Sequence, residues 1–116
     1  MGEQEKITFE VRDRLGRTVR LRESVYERHL PTHREMADYL EEAKQTIIDP
    51  DYELEDGENC YGYYRMGLGK GRYEKCFIAV PVYYRRTLWG DEGEVATFHL
   101  TRRLGRGKIT WKRPRD

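Results

Sequence analysis

Cysteine is scarce in this sequence, and an apolar run long enough to span a membrane is absent. The two cysteines, Cys60 and Cys76, form no Cys-x-x-Cys motif, which gives no support to a zinc ribbon or a thiol–disulfide redox site. A transmembrane helix requires about 18 consecutive apolar residues. The segment Met1–Lys6 is charged and lacks the apolar stretch of a signal peptide. We therefore expect a cytoplasmic protein with reduced thiols and no membrane association.

The chain also lacks a sizeable net charge, because 22 Lys and Arg residues and 21 Asp and Glu residues give a formal charge of +1. These charges are nevertheless segregated. Residues 41–58 contain eight acidic residues and one Lys, whereas residues 102–115 contain seven Lys or Arg and no acidic residue. A basic segment of this kind can form a positive surface on a nearly neutral protein, as binding to a phosphate backbone requires. The alternative is a solvated basic tail without a partner.

Apolar residues are few as well. They make up 37% of the 116 residues, and charged residues make up another 37%. This length suits one domain, which we predict to cover residues 1–116 around a small core. Nine Tyr, three Phe and two Trp compensate for the small number of apolar residues, because each aromatic side chain can bury a large area.

The first half of the chain is predicted to form a β-hairpin and two helices. Alternation with period two over residues 7–22, interrupted by a glycine turn, indicates paired strands. Two capping-box patterns, Ser24-x-x-Glu27 and Thr32-x-x-Glu35, predict helix starts within residues 25–48. Pro31 separates the two helices, and the Asp49–Pro50 step ends the second. An apolar stripe on the second helix comprises Met36, Tyr39, Leu40, Ala43 and Ile47.

The second half is predicted to be an antiparallel sheet over residues 51–111, followed by a basic tail at 112–116. Helices grouped together, without alternation of strands and helices, favour an α+β fold class. The prediction is an N-terminal β-hairpin and two helices packed on a four-stranded antiparallel β-meander. Pro81 lies in the most apolar strand and suits an edge or a bulge, because it has no backbone N–H. The predicted strands are 51–55, 60–66, 73–85 and 94–100, with a hairpin loop at 89–93 and a short final strand at 108–111.

Several short motifs follow one another along the chain and together carry a family resemblance. They are Tyr26–Leu30, His33–Glu35, Thr46–Asp51, Tyr63–Arg65, Ile78–Val80, Val95–Phe98 and Gly107–Trp111.

In this order, the motifs resemble the phage and prophage nuclease-like domains grouped with barnase, EndoU, colicin-type tRNases and the RelE toxins. The resemblance covers about residues 7–111, and it departs at Arg34, where Pro is expected, and at Phe98, where Ala is expected. It implies a helix pair on a four-stranded antiparallel sheet and metal-independent cleavage of tRNA or mRNA, with no cofactor. Because many members are toxins, it also implies an antitoxin or immunity protein as a candidate partner.

RNA cleavage without a metal requires a base for the 2′-OH proton, an acid for the leaving 5′ oxygen and a cation at the phosphate. His29 or His33 is the candidate base, and His99 or the other helical histidine is the candidate acid, because histidine titrates near neutral pH. Arg65 is the candidate phosphate ligand. The resemblance adds Thr97 as a hydrogen-bond donor, and its spacing of two from His99 predicts that both lie on one strand face.

The candidate RNA-binding residues are an aromatic side chain and a set of cations. Tyr64 could stack a base. Lys70, within the glycine-rich loop 67–72, could close over bound RNA. The basic segment would line the approach of the phosphate chain through Arg102, Arg103, Arg106 and Lys108.

Other interpretations stay open. His29 and His33 have the spacing of zinc ligands on one helix, but Pro31 interrupts that helix and no catalytic Glu follows. A catalytically inactive RNA-binding module would keep the basic segment without an acid–base pair. A protein-interaction domain would use the acidic segment or an exposed strand edge. Convergence of the candidate catalytic side chains on one point would favour the enzyme.

Overall fold

The computed structural model describes residues 6–32 and 34–114, with the side chains of residues 35 and 36 excepted. The predictions for His33, for the Glu35 and Met36 side chains and for the last two residues of the basic tail lie outside this part of the chain. The elements are β1 (Ile7–Arg12), β2 (Thr18–Arg22), α1 (Glu23–His29), a 3-10 helix (Arg34–Tyr39), α2 (Leu40–Ile48), β3 (Tyr52–Glu55), β4 (Cys60–Met66), a second 3-10 helix (Gly71–Tyr73), β5 (Phe77–Thr87), β6 (Gly90–Val95), β7 (His99–Thr101) and β8 (Lys108–Lys112).

The predicted fold class is wrong, because the described strands form one mixed sheet of eight rather than a four-stranded antiparallel meander. The strand order is β1-β2-β6-β5-β4-β3-β8, and β7 pairs with β5. β1 and β2 pair with each other and extend this same sheet instead of packing on it as a separate hairpin. The pair β2–β6 is parallel and joins Thr18–Arg20 to Glu92–Glu94. Alternation along one strand cannot predict such a distant partner.

The two faces of the sheet carry separate hydrophobic clusters. On the helix face, strands β1, β2, β4, β5 and β6 pack with α2 around residues such as Ile47, Tyr63 and Val80. On the opposite face, which we call the outer face, Leu54 and Tyr64 form a smaller cluster with Ala79. The outer-face cluster is flanked by the half-buried side chains Tyr52, Phe77 and Leu104.

The helices end where the sequence predicts, but they begin elsewhere. α1 ends at His29, before Pro31, and α2 ends at Ile48, before Asp49–Pro50. α1 starts at Glu23, so the predicted cap Ser24 lies inside the helix. The predicted second helix is divided, because its first part is a 3-10 helix that ends at Tyr39. The buried Tyr39 accepts a hydrogen bond from the backbone N–H of Lys70, a long-range contact that no local pattern indicates.

The predicted strand 94–100 and the predicted loop 89–93 are also wrong. β6 already begins at Gly90, and residues 96–98 interrupt the ladder before β7. Val95 pairs with Val82, and His99 pairs with Ala79, so the β6–β7 side contains one extra residue. Ala96 donates to the Pro81 carbonyl at 3.0 Å, and Pro81 has no N–H to donate in return. Pro81 therefore lies at a bulge, which is one of the two places that its chemistry allows.

A buried polar network fixes the β1–β2 turn to the centre of the sheet. Asp13, only 5% exposed, accepts hydrogen bonds from the Arg17 Nε at 2.7 Å and the Tyr84 hydroxyl at 2.8 Å. The Tyr63 hydroxyl bonds the Tyr84 hydroxyl, and it must be the donor because the proton of Tyr84 is directed to Asp13. Burial is the largest cause that raises the pKa of both tyrosines, which keeps them neutral.

The same turn also contacts the strands at the other end of the strand order. The Arg14 guanidinium bonds the buried Glu53 carboxylate on β3 at 2.7 and 3.3 Å, and its central carbon lies 4.3 Å from the Trp111 ring centroid on β8. Since β1–β2 and β3–β8 lie at opposite ends of the strand order, the sheet must curl around α2 to bring them together. We call the contacts of Asp13, Arg14 and Arg17 with Glu53, Tyr63 and Tyr84 the clasp.

Replacing Tyr84 with Phe should lower the free energy of unfolding by about 1–3 kcal/mol, because Asp13 and Tyr63 would each lose a buried hydrogen-bond partner. Urea unfolding of the Tyr84→Phe variant measures this change. Tyr61→Phe is the matched control, because the Tyr61 hydroxyl makes only a surface bond of 3.4 Å to Glu55. Equal stability of the two variants would show that the clasp does not hold the fold.

Candidate functional site

Two of the candidate catalytic residues, His29 and Thr97, lie together. They belong to α1 and to the bulge before β7, and they line the same cavity with side chains of the helix face. The stacked rings of Tyr26 and Phe98, with centroids 6.5 Å apart, hold these two elements against each other. The remaining lining residues are Leu21, Val25 and Leu30.

This cavity is small and apolar. Its volume is about 10 Å³, which holds at most a single water molecule. The Thr97 hydroxyl oxygen is buried and has no hydrogen-bond partner among the described residues. A buried hydroxyl without a partner is destabilising. As it stands, the cavity cannot admit a phosphodiester.

Arg65 does not reach this cavity and already has partners. Its Nη1 donates to the backbone oxygen of Asp49 at 2.6 Å and to the Asp49 carboxylate at 2.9 Å. Arg113 binds the same carboxylate at 2.8 Å. Burial raises the pKa of Asp49, but the hydrogen bonds from Arg113 and Arg65 outweigh it and lower that pKa overall. Arg65 thus anchors the end of α2 to β4.

His99 lies on the other side of the sheet from His29. It pairs with Ala79, which also pairs with Tyr64, and directly paired residues share a face. Ala79 and Tyr64 belong to the outer-face cluster. The extra residue of the bulge is the reason that Thr97 and His99 face opposite sides, contrary to the expectation from their spacing. The described candidates for base and acid, His29 and His99, are therefore not brought together.

Tyr64 is buried and contacts the segment around Gly105, which crosses above its ring. Its hydroxyl accepts a hydrogen bond from the Gly105 N–H at 3.1 Å. A Cβ on Gly105 would meet this hydroxyl, so glycine is required for so close an approach. Only 9% of Tyr64 is exposed, which leaves no ring face for a nucleic-acid base.

The connection between β7 and β8, residues 102–107, crosses the outer face, and we call it the strap. It must pass over β5, β4 and β3, four interstrand spacings or about 19 Å. The seven residue steps from Thr101 to Lys108 reach about 25 Å at most, so the strap is nearly extended. Leu104 packs inward on the outer-face cluster. Arg102, Arg103 and Arg106 are exposed, and no acidic side chain of the described residues pairs with them.

A groove opens on the same face beside the strap, with a volume of about 330 Å³. The rings of Tyr52 and Phe77 meet edge to face at its floor, with centroids 6.0 Å apart. The Lys112 ammonium lies 5.8 Å from the Tyr52 ring centroid. The other lining residues are Asp51, Met66 and Arg113.

The two remaining cations of the predicted RNA surface lie elsewhere. Lys70 is on the helical side, 3.5 Å from the Glu42 carboxylate and 5.3 Å from the Tyr39 ring centroid. Lys108 pairs with Glu55 in the β3–β8 ladder and shares its face, which is the helix face. The strap and the groove therefore gather only part of the predicted set.

The described residues offer little for metal or thiol chemistry. No cluster of three or more His, Cys, Asp or Glu side chains that could hold a metal ion occurs among residues 6–32 and 34–114. Both cysteines are free and buried, and burial is the largest cause that raises the pKa of the Cys60 thiol. A thiol of this kind is a poor nucleophile. In the same part of the chain, no helix is long and apolar enough to cross a lipid bilayer.

The sequence matches no protein-family model, and no curated protein or solved structure is similar to it at a significant level.

The sequence analysis did not predict the groove, although the alternation in one strand already indicated the position of Tyr52. The strand predicted at 51–55 places Tyr52 and Leu54 on one face by its alternation. The pairing of Tyr52 with both Tyr64 and Lys112 depends on sheet register, which no local pattern supplies.

Thr97→Val should raise the free energy of unfolding by about 1 kcal/mol, because it replaces a buried hydroxyl without a partner by a methyl group of similar size. Thr46→Val is the matched control. Thr46 is fully buried, and its hydroxyl donates to the Glu42 carbonyl at 2.8 Å, so this variant should lose about 0.5–1.5 kcal/mol. Urea unfolding measures both changes. A destabilised Thr97→Val variant would mean that a bound molecule satisfies the hydroxyl.

Proposed function

We propose that this protein binds RNA through the outer face of its sheet. The observation that carries the proposal is the strap, which displays Arg102, Arg103 and Arg106 without acidic partners among the described residues. Three unpaired guanidinium groups on a nearly extended segment suit the spaced phosphates of a nucleic-acid chain. A loop held flat against the sheet also loses little conformational entropy when it binds.

The groove adds the second element of an RNA-binding surface. Phosphate contacts give affinity, whereas aromatic side chains allow unpaired bases to stack. Tyr52 and Phe77 are half-buried, and Lys112 stands at the rim of the groove that they line. Both the strap and these rings pack on the same small cluster of Leu54, Tyr64 and Ala79.

Replacing Arg102, Arg103 and Arg106 together with Gln should weaken RNA binding and flatten its salt dependence. Loss of three phosphate contacts on a single strand reduces the slope of log K against log salt by about 2. Fluorescence anisotropy with a labelled oligoribonucleotide at several salt concentrations measures both quantities. A control variant carries Gln at Arg28, Arg34 and Lys44, which removes the same charge from the helical side. Equal affinity and slope in the two variants would refute the strap as the binding element.

A metal-independent endoribonuclease of the phage or toxin type is the second candidate. The observation that favours it is the shared cavity of His29 and Thr97, which are 68 residues apart in sequence. In this proposal His29 removes the 2′-OH proton, the 2′ oxygen attacks phosphorus, Thr97 donates a hydrogen bond to the phosphate, and water protonates the leaving 5′ oxygen. The cavity would have to open by movement of α1 before RNA could enter.

If the protein is a nuclease, the wild type should cleave RNA in the presence of EDTA and leave cyclic phosphate ends. His29→Ala should slow cleavage by about 10²- to 10⁴-fold, because general base catalysis is worth that much. Glu27→Ala, on the exposed side of the same helix, is the control. Intact tRNA and mRNA after incubation with folded wild-type protein would leave RNA binding as the function.

RNA as a ligand also agrees with a cytoplasmic location and with the reduced state of Cys60 and Cys76. If the domain acts as a toxin, an inhibitor protein is the corresponding partner.

A further inference from the structure

The β5–β6 hairpin ends in a tip of two apolar side chains that extend into solvent. Leu88 is 97% exposed and Trp89 is 92% exposed. Within the described residues, the Trp89 ring contacts no other aromatic ring and no cation. The tip is nevertheless ordered by local hydrogen bonds, because the Thr87 hydroxyl accepts from the Trp89 N–H at 3.1 Å and donates to the Gly90 carbonyl at 2.6 Å. The indole is thus presented on a fixed turn.

The tip is continuous with the outer face. Along β5, side chains alternate between faces, so Tyr83 and Arg85 lie on the same face as Phe77 and Ala79. Tyr83 is 55% exposed, and Arg85 is exposed. The eleven residues of β5 extend over about 35 Å, from the groove at one end to the tip at the other.

We propose that Trp89 stacks on an unpaired base, and that the RNA bound by this protein is therefore single-stranded and lies along β5. This inference rests on the proposed RNA-binding function and specifies its substrate class. A duplex buries the faces of its bases and cannot offer one to the indole, whereas a single strand can. Arg85 is exposed just behind the tip on this face and can bind a phosphate that flanks the stacked base, whereas Arg86 lies on the other face, 3.9 Å from Asp91.

The charges beside this path do not oppose a nucleic acid. Glu92 and Glu94 lie next to Arg85 and Tyr83 on β6, but Arg20 binds Glu92 at 3.2 Å and Arg22 binds Glu94 at 2.6 Å. Each of the two carboxylates is therefore ion-paired within the sheet, although Arg20 is shared with Glu10 at 2.6 Å.

The size of the tip argues against a protein partner. A stable protein interface buries about 800 Å² of accessible surface on each partner. An aromatic side chain contributes about 250 Å² at most. A single base, in contrast, covers one ring face and requires no more than one exposed indole.

The experiment measures binding of a short oligouridine, of a duplex RNA and of phosphatidylserine vesicles to wild type, Trp89→Ala, Trp89→Tyr and Leu88→Ala. Trp89→Ala should weaken binding of the single strand by about 5- to 150-fold, with an unchanged salt slope because no charge is lost. Trp89→Tyr should retain most of the affinity, since it keeps a ring. Leu88→Ala is the matched control at the same tip and should bind within about twofold of wild type. In a Trp111→Phe background, oligouridine should quench the fluorescence of Trp89.

The outcomes separate this inference from the function on which it rests. If the wild type binds oligouridine but Trp89→Ala binds equally well, the tip proposal fails and RNA binding stands. If the duplex binds as tightly as the single strand, the substrate class is wrong. If Trp89→Ala loses only binding to phosphatidylserine vesicles, the tip contacts lipid instead. If no RNA binds to the wild type, both proposals fall.

Discussion

The clasp is the constraint on which the architecture depends. Asp13 and its arginine neighbours bring the turn of the first hairpin onto strands that follow 40 to 70 residues later. That contact forces the sheet to curl, and the curl creates the concave side in which α2 and most of the core are buried. The polar groups of the clasp are satisfied by each other, which makes their burial tolerable and their geometry specific.

Among the described residues, α1 and α2 pack on the concave side of the sheet, and the strap crosses the centre of the convex side. The strap is nearly extended, so it lies close to the strands. Gly105 and Gly107 permit this closeness, since a Cβ at either position would collide with Tyr64 or with the backbone of Glu55. The strap side chains Arg102, Arg103 and Arg106 are exposed, and the aromatic groove lies next to them. The proposed RNA surface is thus a consequence of how the chain closes its own sheet.

Sequence patterns predicted local structure well and spatial relations poorly. The strands Thr18–Arg22 and Cys60–Met66 have the predicted bounds, because alternation and flanking turns determine them locally. The parallel β2–β6 pair, in contrast, depends on a partner 74 residues away. For the site, the helical corner identified His29 and the family resemblance added Thr97, and the structure brings them to one cavity. The alternation pattern was wrong for His99. A single extra residue in the bulge moves its side chain to the other face of the sheet, and a run of alternating residues does not indicate where a bulge occurs.

The outermost strand β8 has a consequence for how this protein behaves when it is concentrated. Its free edge could in principle recruit the same strand of another molecule. Lys108 and Lys112 lie at the two ends of β8, and lysines on an edge strand disfavour pairing with a second sheet. Thr110 is itself an additional residue in the β3–β8 ladder, which distorts the edge further. The chain thereby carries its own protection against edge-to-edge association into fibrils.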